Sequence, residues 1–205
     1  MDGAVRGNAM KTRPYTVTEI AEAICEADGL SLAEHTRAHS QVRNAVRQGL
    51  LQHGEQIDRR GTLAFPQIEI YRARIINALA DLSVDMVAIK DVLAEAIRNS
   101  TPAFDAKDWP ARTNVNGAWH WRGFADVIAG VAAGERWKLL LSLYGPGHLS
   151  GTRLQGEFIW DGAPPIESDR SETDEILVRG APQVIVTVDL NVLFAGLPVL
   201  SAAGA

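Results

Sequence analysis

The chain has 205 residues with a hydrophobic content of 46% and a charged content of 22%, which excludes a protein that is disordered throughout. Its formal net charge of −5 disfavours uniform attraction to polyanions, and its length suits one large domain or two small ones. With short apolar runs and one cysteine, Cys25, we expect a cytoplasmic protein with no disulfide and no membrane partner.

The charge is distributed unevenly along the chain. Residues 37–74 contain seven arginines against three carboxylates, whereas residues 99–205 contain eight basic and twelve acidic residues. A locally basic segment inside an acidic protein suits a partner that carries phosphates.

The first helix is predicted after a flexible lead-in at residues 1–14. Thr16 or Thr18 would be its N-cap, and Asp28-Gly29 would end it. Residues 30–35 are predicted to form a connector, or a turn of helix, that leads to the second helix. The apolar stripe of the first helix consists of Ile20, Ala21 and Ile24.

The second helix is predicted over residues 37–51. Val42, Ala45 and Val46 form its apolar face, and Gly49 is placed to end it in a left-handed conformation. Guanidinium, hydroxyl and amide groups bond phosphate oxygens and the edges of bases, so the polar face predicts contact with DNA. A solvated amphipathic helix is the alternative. The polar residues predicted to bind DNA here are Arg37, Ser40, Gln41, Arg43, Asn44 and Arg47.

Residues 52–65 are predicted to form a hairpin with Arg59 and Arg60 at its tip or beside it. Apolar residues at three- and four-residue steps predict a third helix over residues 67–82. Arg72 and Arg74 on that helix would contact DNA or solvate the helix surface. Ser83 is predicted to be the N-cap of a fourth helix, with Asp85 in the first turn.

Irregular sequence at 99–116 marks a linker, and a second region follows it. Acidic, turn-rich residues 161–180 are predicted to be a loop. The predicted elements of this region are a helix over 119–134, strands over 137–144, 155–160 and 184–188, and a short helix over 190–196.

Aromatic residues are frequent in the second region. They indicate either a pocket for a small-molecule effector or the core of a small α+β domain. The residues that would bind the effector are Trp119, Trp121, Trp137 and Tyr144.

Cys25, His35 and His39 form a conceivable zinc trio, although surface histidines explain the same spacing. The sequence contains no recognisable enzyme motif or cofactor motif.

Three segments carry a family resemblance. YTVTEIAEAI from Tyr15, VRNAVRQGLL from Val42, and RRGTLAFPQIEIYRARIINALADLSVDMVAIKDVL from Arg59 resemble the N-terminal DNA-binding domain of the MerR family of transcription regulators. The resemblance covers residues 15–97. It implies a winged helix-turn-helix that places Arg43, Asn44 and Arg47 in a DNA groove and, in its wing, Arg59 and Arg60 over the phosphates. It also implies a homodimer, double-stranded DNA as partner, and RNA polymerase as a further partner.

The predicted fold is therefore a mainly α N-terminal winged helix-turn-helix followed by a small α+β domain. The predicted divisions are a lead-in at 1–14, a DNA-binding domain at 15–98, a linker at 99–116, and an effector or oligomerisation domain at 117–200. The predicted function is sequence-specific regulation of transcription. The alternatives are a protein-interaction module that uses a similar fold without DNA and, more remotely, a small ligand-processing domain.

Overall fold

The structure is a computed structural model that describes residues 14–52, 54–99, 112–115, 118–121, 123–144, 154–161, 182 and 184–199. This part of the chain is a mixed α+β fold. None of its helices has the length and apolar character needed to span a bilayer. The helices are α1 (Val17–Asp28), α2 (Leu32–Arg47), α3 (Ile68–Asp81), α4 (Met86–Asn99), α5 (Phe124–Ala132) and α6 (Leu190–Leu193).

The strands of the described residues form three antiparallel sheets. The first has the order β1-β3-β2, the second pairs β4 with β5, and the third has the order β7-β6-β8. The strands are β1 (Tyr15–Thr16), β2 (Glu55–Gln56), β3 (Leu63–Phe65), β4 (Arg112–Val115), β5 (Ala118–Trp121), β6 (Trp137–Leu143), β7 (Leu154–Trp160) and β8 (Val184–Asp189).

Helix α1 has Thr16 as its N-cap, one of the two threonines predicted, and Thr16 forms a capping box with Glu19. The backbone N–H of Glu19 donates to Thr16 Oγ1 at 3.3 Å, and the backbone N–H of Thr16 donates to Glu19 Oε2 at 2.8 Å. Gly29, at φ 61°, ends the helix. The predicted apolar stripe is buried, which confirms the periodicity: Ile20, Ala21 and Ile24.

Helix α2 begins at Leu32, so most of residues 30–35 form its first turn, which is one of the two predicted alternatives. Ser31 is the N-cap, and its backbone N–H and hydroxyl both donate to Glu34 Oε2, at 2.8 and 2.6 Å. This local cap starts the helix one turn before the apolar pattern becomes evident. Only Gly29, Leu30 and Ser31 therefore separate α1 from α2.

The predicted end of α2 is confirmed. Gly49 has φ 67°, and the backbone N–H of Leu50 donates to the carbonyl oxygen of Ala45 at 2.9 Å. These are the features of a left-handed helix stop, in which glycine avoids the steric penalty of a β-carbon. Leu50 and Leu51 are buried beyond it.

The junction between α3 and α4 corrects one predicted cap. Ser83 has φ 62° and donates its backbone N–H to Ala80 O, so it closes α3 in a conformation usually taken by glycine. Asp85 caps α4 instead, because its carboxylate accepts the backbone N–H groups of Val87 and Ala88 at 2.9 and 3.4 Å.

The predicted helix over residues 119–134 is wrong in its first turn. Trp119 belongs to β5 and lies opposite Asn114 of β4, and the helix begins only at Phe124. Aromatic residues favour strands, and Gly123 at φ 136° separates the strand from the helix. Strand β4, which pairs with β5, lies within the predicted linker over residues 99–116. Helix α6 is shorter than the predicted helix over 190–196.

The three strands predicted for the second region are confirmed as β6, β7 and β8. The predicted loop over 161–180 falls outside the described residues except for Asp161.

One hydrophobic core connects the N-terminal helices with the third sheet. It contains residues of α1 to α4 together with residues of α5, β6, β7 and α6. Val92 of α4 lies directly against Gly156 of β7. Tyr71 of α3 packs perpendicular to Phe194, with ring centroids 5.0 Å apart, and donates its hydroxyl to Pro198 O at 2.6 Å. The described parts of both predicted domains thus share one core.

Candidate nucleic-acid interface

The outward face of α2 carries four of the eight residues predicted to bind DNA. Ala38, Val42 and Ala45 are buried on the inner face of the helix. At 3.6 residues per turn, the opposite face falls near residues 40, 43 and 47, with residue 44 beside it. The side chains on this face are all exposed: Ser40, Arg43, Asn44 and Arg47.

Two other predicted DNA-binding residues of α2 lie at the edge that faces α3. The Arg37 guanidinium donates to Asp81 Oδ1 at 2.6 Å, and Gln41 Nε2 donates to the same oxygen at 2.9 Å. Asp81 ends α3. Arg37 and Gln41 therefore join α2 to α3, and the structure does not group them with the outward face.

The hairpin β2–β3 presents Arg59 and Arg60, both exposed, in the loop that joins its strands. Asp58 organises this loop. Its Oδ1 accepts the backbone N–H groups of Arg60 at 3.0 Å and Thr62 at 2.8 Å, and its Oδ2 accepts the Thr62 hydroxyl at 2.7 Å. Gly61, at φ 83°, supplies the left-handed residue that the turn requires.

Hydrogen bonds from the Thr62 side chain and backbone lower the pKa of the Asp58 carboxyl from its ordinary value. A carboxyl with a depressed pKa in the folded state contributes stability above its unfolded-state pKa. That contribution is lost as the pH falls through the lowered value. The loop geometry that presents the arginines is therefore complete at neutral pH.

A buried ion pair on α3 supports the segment between α2 and the hairpin. Glu69 is fully buried, its Oε1 lies 2.9 Å from Arg72 Nη1, and its Oε2 accepts the backbone N–H of Gln52 at 2.9 Å. Arg72 is 6% exposed and its guanidinium faces Glu69, so its predicted role of solvating the helix surface is wrong, and its burial does not support contact with DNA. Arg74 pairs with Asp28 of α1 at 2.7 Å.

Of the four predicted effector residues, Trp137 lies in the core, and Tyr144 is partly exposed just after β6. Trp137 is fully buried, stacks near Trp160 with ring centroids 6.5 Å apart, and donates Nε1–H to Glu135 Oε2 at 3.1 Å. Trp137 is therefore part of the hydrophobic core, which was the alternative to an effector pocket. The side chains of Trp119 and Trp121 in β5 lie outside the described part of the chain.

Cys25 is buried, and burial raises the pKa of its thiol. In the part of the chain that the structure describes, no group of three His, Cys, Asp or Glu side chains is arranged to hold a metal ion, and this does not support the zinc trio of Cys25, His35 and His39.

Sequence reasoning missed three polar residues of α3: Glu69, Asn77 and Asp81. Asn77 is 2% exposed. Asp81 accepts hydrogen bonds from Arg37 and Gln41 of α2, which lie 44 and 40 residues away in sequence. Glu69 and Arg72 stand three residues apart on one helix, a spacing that could have indicated the pair. Comparison of the chain with protein-family models, with curated proteins and with solved structures finds no match.

Proposed function

We propose that residues 15–99 form a winged helix-turn-helix that binds double-stranded DNA. In this proposal α2 is the recognition helix, and the β2–β3 hairpin is the wing. The observation that carries it is the exposed outward face of α2, which follows α1 after a turn of three residues. Two helices joined by so short a turn, with the second helix projecting side chains from its outer face, suit insertion of that helix into the major groove.

The chemistry of the outward face matches the groups that DNA presents. Arg43 and Arg47 each offer a planar fork of donors that pairs with the O6 and N7 acceptors of guanine. Asn44 offers a donor and an acceptor, the pattern that adenine requires. Neither arginine forms an ion pair with another described residue, so both guanidinium groups are available for a partner.

The wing supplies contacts that do not depend on base sequence. Arg59 and Arg60 are exposed in a loop fixed by Asp58, which lowers the entropy lost when they bind phosphates. Each neutralised phosphate releases counterions, so the affinity falls as salt rises.

The function that follows is transcription regulation of a MerR-like type. One module of this size reads few base pairs, so specific binding requires a homodimer on a two-fold site. RNA polymerase is a further partner on this reading, and the protein acts at the nucleoid in the cytoplasm. The resemblance of residues 15–97 to that family and the order of helices and hairpin both support this.

The test is selection from random duplex DNA by the purified full chain at two salt concentrations, read out by sequencing. We expect one enriched motif that persists at the higher salt and is a palindrome. Arg43→Ala should lose roughly 1–3 kcal/mol of binding to that motif and much less to unrelated DNA. Equal losses would show that Arg43 contacts phosphate only.

Arg136→Ala, which removes an exposed arginine before β6, is the matched control and should leave selection unchanged. Absence of any enriched motif together with no retention at low salt would overturn the proposal. The function would then move to docking on a protein partner.

The wing gives a separate prediction. The double variant Arg59→Ala, Arg60→Ala should weaken binding to all duplexes and reduce the slope of log K against log salt by roughly two, because two phosphate contacts are lost. Fluorescence anisotropy on the selected motif over a salt series measures this slope. An unchanged slope would remove the wing from the interface while leaving the role of α2 intact.

A further inference from the structure

A cavity of about 380 Å³ opens between α1, α2 and α3, beside the edge of α2 that carries Arg37 and Gln41. Its volume is at the lower end of the range for sites that bind small molecules. Ile24 and Ala38 form an apolar part of its wall, whereas most of the remaining lining is polar or charged. It is separate from the outward face of α2.

Asn77 of α3 lines the cavity and is 2% exposed. Its Oδ1 accepts no hydrogen bond from any described residue. A buried carbonyl oxygen without a donor destabilises the folded state, so folded proteins rarely retain one without a partner. A hydrogen-bond donor held in the cavity would supply that partner after a small rotation of the amide.

The charged groups of the lining favour a cation. Three carboxylates, those of Asp28, Glu34 and Asp81, face two guanidinium groups, those of Arg37 and Arg74. The arginines pair with Asp81 and Asp28 at 2.6 and 2.7 Å, so one negative charge is in excess.

The hydrogen bonds of these carboxylates leave further acceptors. Each carboxylate uses one oxygen in its bonds to described residues: Asp28 Oδ1, Glu34 Oε2 and Asp81 Oδ1. The second oxygen of each remains an acceptor, as does Asn77 Oδ1. Among the lining residues, Arg74 Nε is a buried donor without a described partner, so these four acceptors outnumber it.

We infer that this cavity binds a small organic cation with several N–H donors, of the alkylammonium or guanidinium class. Such a ligand would donate to Asn77 Oδ1 and pair with the remaining carboxylate oxygens, while its carbon chain would contact Ile24 and Ala38. A small anion would meet these acceptors unfavourably, and an apolar ligand would leave Asn77 unpaired. The described residues hold no cluster of metal ligands, which favours an organic cation over a metal ion.

The test is isothermal titration calorimetry of the full chain, without DNA, using 1,4-diaminobutane as the probe. The neutral 1,4-butanediol and the anionic succinate are probes of matched length. We expect saturable binding of the diamine with an affinity at least tenfold higher than that of either control probe. Equal binding of the diol or of succinate would overturn the assignment of the ligand class.

Two variants separate the cavity from general attraction to an acidic protein. Asn77→Leu should lower the affinity for the diamine at least tenfold, whereas Glu22→Gln, which removes an exposed carboxylate of α1 outside the cavity, should leave it unchanged. Similar losses in both variants would show non-specific surface binding and overturn the site.

Folding of Asn77→Leu is checked by its thermal midpoint without ligand. Removing an unpaired buried carbonyl should leave the midpoint unchanged or raise it, and the diamine should raise the midpoint of the parent chain alone. As a measurement that needs no variant, titration of the parent chain followed by NMR should shift the side-chain amide protons of Asn77. Absence of that shift at saturating diamine would overturn the proposal. All of these readouts are independent of DNA binding.

Discussion

Replacing Glu69 with glutamine should lower the free energy of unfolding by about 3–5 kcal/mol. The substitution keeps the size of the side chain and an acceptor for the backbone N–H of Gln52, but it removes the charge that faces Arg72. Burial already lowers the pKa of Arg72, and the Glu69 carboxylate opposes that effect. Without the carboxylate, a buried guanidinium is left without a counter-charge. Urea denaturation followed by tryptophan fluorescence measures the loss.

Two controls identify burial as the cause of this loss. Asp81→Asn breaks the ion pair between Arg37 and Asp81, whose side chains are 65% and 50% exposed, respectively. Because both charges are exposed to solvent, this change should lower the free energy of unfolding by less than about 1 kcal/mol. The double variant Glu69→Gln, Arg72→Met should regain most of the stability, because it removes the unpaired charge itself. A loss from Glu69→Gln no larger than that from Asp81→Asn would contradict the prediction.

Gly156→Ala should lower the free energy of unfolding by about 1–3 kcal/mol, because the added methyl group overpacks the contact between β7 and α4. A β-carbon at position 156 would lie 2.6 Å from Val92 Cγ1 and 3.0 Å from the backbone oxygen of Val92. The side chain can rotate away, but the backbone oxygen can move only with the helix. Thermal and urea unfolding, each followed by circular dichroism and fluorescence, measure the cost and show whether the two probes coincide.

Thr187→Ala, at an exposed position of strand β8 on the far side of β6, is the control and should change stability by less than about 0.5 kcal/mol. Adding Val92→Ala to Gly156→Ala should restore only part of the loss, because the contact with the backbone oxygen remains. Because α4 and β7 share one core, the transition of Gly156→Ala should remain single. Two separate transitions would show that the halves of the chain unfold independently.

The parts of the fold that the sequence predicted well depend on local chemistry. Thr16 and Glu19 form a capping box within three residues, and Gly49 stops α2 by its own conformational freedom. Strands β6 to β8 were predictable because β-branched and apolar residues cluster in short runs bounded by turn residues.

The misplaced elements had competing local signals. Ser31 and Ser83 have the same side chain but opposite positions. Ser31 is the N-cap of α2, whereas Ser83 follows the end of α3 with a positive φ, because the preceding helix fixes its conformation. The run around Trp119 is compatible with either a helix or a strand, and pairing with β4 decided the outcome.

The candidate site was predictable only where one helix contains it. The outward face around Arg43 follows from helical spacing, and its exposure agrees with the prediction. The bonds from Arg37 and Gln41 to Asp81 span 44 and 40 residues of sequence, so no local pattern contains them. The burial of Asn77 likewise depends on how α1 and α2 pack on α3.

The contact between Val92 and Gly156 also bears on how this chain can diversify. Proteins whose two parts are joined only by a linker can exchange those parts by recombination, because each part folds without the other. In this chain a recombination crossover between residues 99 and 112 would pack α4 against a β7 strand from another protein, whose surface had evolved to fit a different helix. We therefore expect α4 and the third sheet to be inherited together, with substitutions on one surface matched by substitutions on the other.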